Sequence, residues 1–319
     1  MLPTPAVLNL ILAENRREAY FGPMKMLHFF AFLLATSIAS AQNFDTVKIR
    51  PLKITDNVYM LKGSGGNIGL LAGSDGLLMI DDQFAPLSEK IAAAIKTIDP
   101  GQIRFLLNTH IHGDHTGGNE NFRKMGATIV AHDLVRERMS KPTVDPRTQQ
   151  PVAAKPKAAL PEVTFADRMN FHLNDEDIEL YHFTNGHTDG DVVIRFVKAN
   201  VYHVGDLFNR GSFPYIDAGN GGKVDGLVTN FDKILSLMDD NAKVIPGHGD
   251  LATKADVKAY RDMLFDLQEQ VKKAMKGGKK VEDIPALNLT AKYEGLFPKA
   301  FIKGKDYILV VAQSVADSK

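Results

Sequence analysis

The chain has 319 residues in which Lys+Arg 38 balance Asp+Glu 38, and its 44% hydrophobic and 24% charged content is the profile of a soluble globular protein. Balanced charge gives no electrostatic reason to expect nucleic acid or an anionic membrane surface as partner. The absence of cysteine excludes disulfides, thiolate zinc sites, iron–sulfur clusters and a cysteine nucleophile.

From Met24 the sequence reads MKMLHFFAFLLATSIASAQ: a basic Lys25, an apolar stretch from Leu27 to Ala35, and a small-x-small site at Ala39-Ser40-Ala41. That is a secretory signal pattern, with an apolar run shorter than the ~20 residues a spanning helix needs. Residues 1–23 lie upstream of it, so Met24 or Met26 is the expected translation start. With no cysteine at the cleavage point, the expectation is a periplasmic or secreted protein without a stable membrane anchor.

Downstream, Val58–Leu61, Ile68–Ala72 and Leu77–Ile80 are short apolar runs separated by Gly-rich turns, which predicts antiparallel strands. Pro86–Ile98 reads as a helix with Ile91, Ala94, Ile95 and Ile98 on one face. Arg104–Asn108 and Thr128–Ala131 read as buried strands. Residues 140–161 carry five prolines and read as a long surface loop. A second series of strands follows at Val163–Phe165, Met169–Leu173, Ile178–Phe183, Val192–Val197 and Val201–Val204. The Gly/Pro/Asn-rich stretch 207–223 reads as a loop of active-site character. Val224–Met238 is an expected helix and Lys243–Ile245 a strand. Thr253 with Asp256 caps a further helix that presents Val257, Tyr260, Leu264, Leu267 and Val271 on one face and stops at Gly277-Gly278. Strands with helices in each half predict an α/β sandwich, sheets inside and helices outside.

The chemistry concentrates in Thr109–Asn119, THIHGDHTGGN, directly after the strand RFLLN. His110 and His112 are two apart, so in extended chain both imidazoles project to the same side and can grip one ion. Asp114 and His115 lie in the turn beyond, within reach of a second ion. Three imidazoles and a carboxylate in six residues form a nitrogen/oxygen ligand set suited to zinc. Further ligand-type residues stand beside glycine at later strand ends: His187 in NGHTDGD, Asp206 in HVGD and His248 in PGHG. His203, alternating with valines, reads as a packed core residue instead. His132, His172 and His182 read as structural or surface groups.

From about residue 52 to about 265, these motifs resemble the metallo-β-lactamase superfamily. The resemblance implies a four-layer αβ/βα sandwich that occupies 42–319 as a single hydrolase domain with C-terminal helices, after removal of 1–41. It further implies a dinuclear zinc site, two ions per chain. His110, His112 and His187 correspond to ligands of the first metal. Asp114, His115 and His248 correspond to those of the second, with Asp206 bridging. Asp81, closing the strand LLMID, matches an aspartate that orients the metal-binding loop. The implied activity is attack on a carbonyl of β-lactam or lactone type by a metal-bridging hydroxide, with Asp114 as the catalytic residue that orients it.

The chain departs from the β-lactamase branch at two places. Asp206 stands where that branch has cysteine, and Asn209 where it has a lysine that holds the substrate carboxylate. Arg210, next along, is the candidate for holding that carboxylate; a solvated surface arginine is the alternative. The carboxylate at 206 is shared with glyoxalase-II-like thioesterases, lactonases and persulfide dioxygenases. The alternatives are therefore a thioesterase, a mononuclear iron dioxygenase using His110, His187 and Asp206, or a metal-dependent binding protein. An all-His/Asp site accepts iron or manganese as well as zinc. The expected partner is a small-molecule substrate. The loop 213–222, FPYIDAGNGG, is the candidate substrate-facing wall, with loop packing as the alternative for Phe213 and Tyr215.

Overall fold

Short apolar runs of period two form the strands, and the face each residue takes decides the layers. The computed structural model describes residues 43–144 and 150–317. The signal pattern, within 24–41, lies outside the described residues, as does part of the Pro-rich segment. Among the described residues, no helix is long and apolar enough to cross a membrane.

The first sheet contains β1 (Arg50–Lys53), β2 (Val58–Lys62), β3 (Ile68–Leu71), β4 (Leu77–Ile80), β5 (Ile103–Leu107) and β6 (Thr128–His132). A two-residue hairpin, β7 (Thr143–Val144) with β8 (Pro151–Val152), stands apart, and β9 (Val163–Phe165) closes the sheet in the order β1-β2-β3-β4-β5-β6-β9. As expected from the Gly-rich turns, β2, β3 and β4 pair antiparallel. The strands β4, β5, β6 and β9 then run parallel.

The second sheet is β10 (Arg168–Leu173), β11 (Glu176–Phe183), β12 (Asp191–Phe196), β13 (Val201–His203), β14 (Lys243–Ile245) and β15 (Ala252–Thr253), in that order. Here β13 and β14 are parallel. The helices are α1 (Ser88–Lys96), α2 (Gly113–Thr116), α3 (Asn119–Lys124), α4 (Asp133–Met139), α5 (Val224–Leu237), α6 (Lys254–Lys276), α7 (Ala291–Glu294) and α8 (Gly304–Asp317).

Alternation along the strands builds the core. Met60, Leu71, Leu78, Ile80, Leu107 and Val130 face Ile178, Leu180, Val192 and Ile194 between the sheets. Their neighbours Leu61, Leu70, Leu77, Met79, Leu106 and Ile129 turn outward and pack under Ile91, Ile95 and Phe122 of α1 and α3. On the far side, Val193, Tyr202 and Val244 pack against Phe231 of α5, Leu264 and Leu267 of α6, and Val311 of α8. Each fully buried aliphatic side chain contributes about 1.5–3 kcal/mol relative to exposure. The result is four layers, helices–sheet–sheet–helices, as the strand pattern and the resemblance imply.

Differences from the expectation are local. The turn after β5 coils into α2 and α3, and the Pro-rich segment carries the β7–β8 hairpin. The apolar face expected at 257–271 is core in α6. Both the Thr253 side chain and the Asp256 carboxylate make the reciprocal bonds of a capping box, Asp256 N–H to Thr253 Oγ1 at 3.3 Å and Thr253 N–H to Asp256 Oδ2 at 2.9 Å. Replacing Thr253 by Ala removes one of these bonds. The expected cost is about 1 kcal/mol, read as a lower denaturation midpoint at unchanged m-value.

Candidate metal centre

Parallel pairing sets the site. Because β4 and β5 run together, the segments after Ile80 and Leu107 leave the first sheet at one edge. Because β13 and β14 run together, the segments after His203 and Ile245 do the same in the second. Asp81, His110, His112, Asp206 and His248 all lie in these exits, and His187 lies in the β11–β12 connection.

The structure brings the seven donors named from the sequence into three overlapping groups: His110, His112 and His187; His110, His115 and Asp206; Asp114, His115 and His248. Within each, donor atoms lie within 4.8 Å of one another. His112 Nδ1 is 2.9 Å from His187 Nε2, and His115 Nε2 is 3.4 Å from His248 Nε2. Asp206 touches both sides. Its Oδ1 is 3.2 Å from His115 Nε2 and 3.5 Å from His248 Nε2, while Oδ2 is 3.8 Å from His187 Nε2. Asp114 Oδ2 lies 3.2 Å from His248 Nε2.

Four of the imidazoles are turned by a partner on their other nitrogen. His110 Nδ1 meets Thr109 Oγ1 at 3.0 Å, His112 Nε2 meets Asp217 Oδ2 at 2.7 Å, and His187 Nδ1 donates to the Tyr215 carbonyl at 2.8 Å. His115 Nδ1 meets Asp81 Oδ2 at 2.6 Å. Asp81 also accepts from Thr109 N–H and Thr109 Oγ1–H, both at 2.7 Å, and so ties the end of β4 to the start of the histidine-bearing loop. Outer partners of this kind fix the ring and raise the basicity of the inner nitrogen.

The electrostatics divide the cluster. Burial, then the neighbouring His115 and His187, hold the His110 imidazole well below its ordinary value. Burial, then His112, lowers His187 to about 4. In the other group burial works the same way on His115 and His248, but carboxylates outweigh it: Asp206, Asp114 and Asp81 raise His115, and Asp206 with Asp114 raises His248 to about 9. Burial raises Asp114, yet the charge of His115 and the hydrogen bond from His248 hold it at about 2.

The residues fit a divalent cation. His110 Nε2 and Asp206 Oδ1 are buried without a hydrogen-bond partner of good geometry, an arrangement that costs free energy in a protein interior unless another group meets them. Five imidazoles and two carboxylates form a donor set of the zinc type. Close backbone approach leaves no room for side chains beneath: a Cβ on Gly66 would stand 2.1 Å from His115 Cε1, and one on Gly247 would stand 1.9 Å from Asp206 Oδ1.

Residues 61–248, the stretch that carries all these donors, match the metallo-beta-lactamase superfamily. The chain belongs to the metallo-β-lactamase superfamily. It is accordingly a metal-dependent hydrolase. A metallo-beta-lactamase type 2 from Elizabethkingia meningoseptica is 22% identical over 76% of this chain and 96% of its own length. A hydroxyacylglutathione hydrolase from Polaromonas is 30% identical over 51% of this chain and 55% of that protein. Among solved structures, a metallo-beta-lactamase from Pontibacter korlensis has a TM-score of 0.58 at 18% identity, covering 69% of this chain and all of that one. That likeness shows the superfamily fold.

The remaining histidines stand apart from the three groups. His203 is buried and hydrogen-bonds the Asn67 carbonyl at 3.0 Å. His132 and His182 stack on each other, and His172 pairs with Asp177 at the surface. In the 213–222 loop, Phe213 is packed against Phe297 and Tyr307, whereas the Tyr215 ring stands 5.8 Å from both His112 and His187. Arg210 is half-exposed, and its guanidinium donates to the Leu251 carbonyl and lies 3.3 Å from Asp256 at the start of α6. Those contacts hold the guanidinium toward the start of α6 while part of its surface stays exposed.

Asp217 and Asn67 escaped the sequence reading. Asp217 is one acidic residue in a Gly/Asn-rich loop, and no spacing marks it. Asn67 donates to the carbonyls of Pro246 and Gly249, at 2.9 and 3.0 Å, and so clasps the loop that carries His248. Asp81→Asn keeps the size of the side chain but replaces an acceptor-only group with one bearing donors of its own, facing three donors. The expected result is a loss of divalent-metal affinity of about 10–100-fold, measured by chelator competition on protein whose circular dichroism is unchanged.

Proposed function

We propose that the protein is an exported dizinc hydrolase that cleaves the carbonyl bond of a β-lactam or a lactone. The observation that carries this reading is Asp206. One buried carboxylate lies against His187 on one side and against His115 and His248 on the other, as a group shared between two ions would. His110, His112 and His187 would hold the first ion, and Asp114, His115 and His248 the second. The nitrogen-rich donor set supports zinc; the sequence pattern at 24–41 supports export.

The chemistry that divalent metal supplies at such a centre is Lewis-acid polarisation of a carbonyl and activation of water near neutral pH. The chain's own residues do the rest. Asp114, 27% exposed, is held below the ordinary carboxylate range and stays ionised at neutral pH. With Oδ2 turned to His248 and His115, its carboxylate can accept a hydrogen bond from the attacking water and orient it. His112 and His187 keep their orientation through Asp217 and the Tyr215 carbonyl, so no rearrangement is needed as charge develops. The Tyr215 ring beside them forms one wall for the substrate. The carboxylates that raise His115 and His248 make protons compete with a metal for these two rings, so metal uptake by this group is linked to pH.

A second reading has its own support. The carboxylate at 206 and the similarity to a hydroxyacylglutathione hydrolase favour a thioester substrate. Elemental analysis of the purified protein, followed by a panel of β-lactams, lactones and acyl-thioesters, decides between them. The expected result is about two zinc ions per chain, hydrolysis of at least one β-lactam or lactone, and loss of that activity on chelation. Rapid cleavage of thioesters alone would establish the second reading, and a single iron would remove both.

Asp114→Asn retains the shape of the side chain and removes its charge. The expected fall in turnover is at least about 100-fold, in line with general-base contributions, measured at matched metal content. Near-normal turnover with both ions bound would refute the role given to Asp114.

A further inference from the structure

His248 differs from the other four imidazoles. The contacts of its ring are with Asp114, Asp206 and His115, all of them donors themselves, and its side chain is 37% exposed. His110, His112, His115 and His187 each have a partner outside the donor set that turns the ring. The place of His248 therefore depends on its main chain.

That main chain is held from two sides. Asn67 takes the carbonyls of Pro246 and Gly249. From the other side comes Asn209, three residues beyond Asp206 and 8% exposed. Its Oδ1 accepts from the His248 N–H at 3.0 Å, and its Nδ2 donates to Asp206 Oδ2 at 3.2 Å. The backbones at 209 and 248 form a single parallel bridge, and Arg210 N–H adds a bond to the His248 carbonyl at 2.9 Å.

We propose that Asn209 is a positioning residue that couples Asp206 to His248 through one buried side chain. The inference rests on the reading of those two residues as metal ligands. Its chemistry is particular to a primary amide of this length. One end must accept from a backbone N–H while the other donates to a carboxylate. Aspartate lacks the donor, glutamine adds a methylene that the buried site has to accommodate, and alanine has neither group. Asn209 also turns Asp206 Oδ2 so that Oδ1, the orphaned oxygen, is left for the side facing His115 and His248.

The test uses the full-length protein, with zinc and cobalt(II) as probes. Asn209→Ala and Asn209→Asp are compared with wild type by chelator competition and by the visible spectrum of the cobalt form. Asp at this position keeps the acceptor for His248 but opposes Asp206 with a second carboxylate. Both variants should lose about 10–100-fold in affinity for one zinc equivalent and alter the cobalt bands. Gln268→Ala is the control: it removes a buried amide that donates to the Val224 carbonyl between α6 and α5, and it should lower Tm with zinc affinity unchanged. Wild-type zinc affinity and cobalt spectra in both Asn209 variants would overturn the proposal, as would an equal loss in the control. Zinc binding by wild type without hydrolysis of any β-lactam or lactone would overturn the substrate reading and leave this one standing.

Discussion

The carboxylate of Asp81 receives hydrogen bonds from the Thr109 N–H, the Thr109 hydroxyl and the His115 ring, and is itself fully buried. Two strand exits that would otherwise move independently are joined there. On one side of this junction lies β4, whose chain passes directly into Asp81 at a φ of 60°. On the other lies the loop whose histidines serve both donor groups. Gathering imidazoles and carboxylates in a site of low dielectric carries a desolvation cost for each. That cost is offset only when every ring is held where its inner nitrogen has a partner, and Asp81 is the first link in that arrangement.

The same logic extends outward through single residues from distant parts of the chain. Asp217 reaches His112 across 105 positions of sequence, and Asn67 reaches Pro246 across 179. These partners come from both sheets, so neither half of the sandwich holds a complete donor set. The two sides of Asp206 differ in electrostatics: on one, burial holds the His110 and His187 imidazoles below their ordinary values, and on the other, carboxylates raise His115 and His248. Contact with a divalent cation thus has different proton consequences in the two halves of one site.

What could be read from the sequence follows from this division. Local signals were legible. The Gly-rich turns around Val58–Leu61 and Leu77–Ile80 announced antiparallel strands, Thr253 with Asp256 announced the start of α6, and the density of histidine in 109–119 announced a metal-binding segment. His187, Asp206 and His248 were visible because each stands beside glycine at a strand end. Asp217, Asn67 and Asn209 were not legible as partners, because their roles depend on through-space pairing that no periodicity records. The helix α4, seven residues long, gave too short a pattern to stand out beside the Pro-rich segment. Arg210, four residues beyond Asp206 on the same loop, was a candidate for holding a substrate carboxylate, and its contacts with Leu251 and Asp256 were not legible either.

The donors stand in the segments that follow β5, β11, β13 and β14, and the connection 207–223 runs beside them, carrying the Tyr215 ring. Loops of that kind tolerate substitution and changes of length far better than the strands that anchor them. This one, however, is tied through Asn209, the Tyr215 carbonyl and Asp217 to the donors themselves, so selection cannot reshape the wall freely without disturbing what holds the ligands. A chain organised this way couples what enters the cleft to how the ions are held, because both are written into one stretch of backbone.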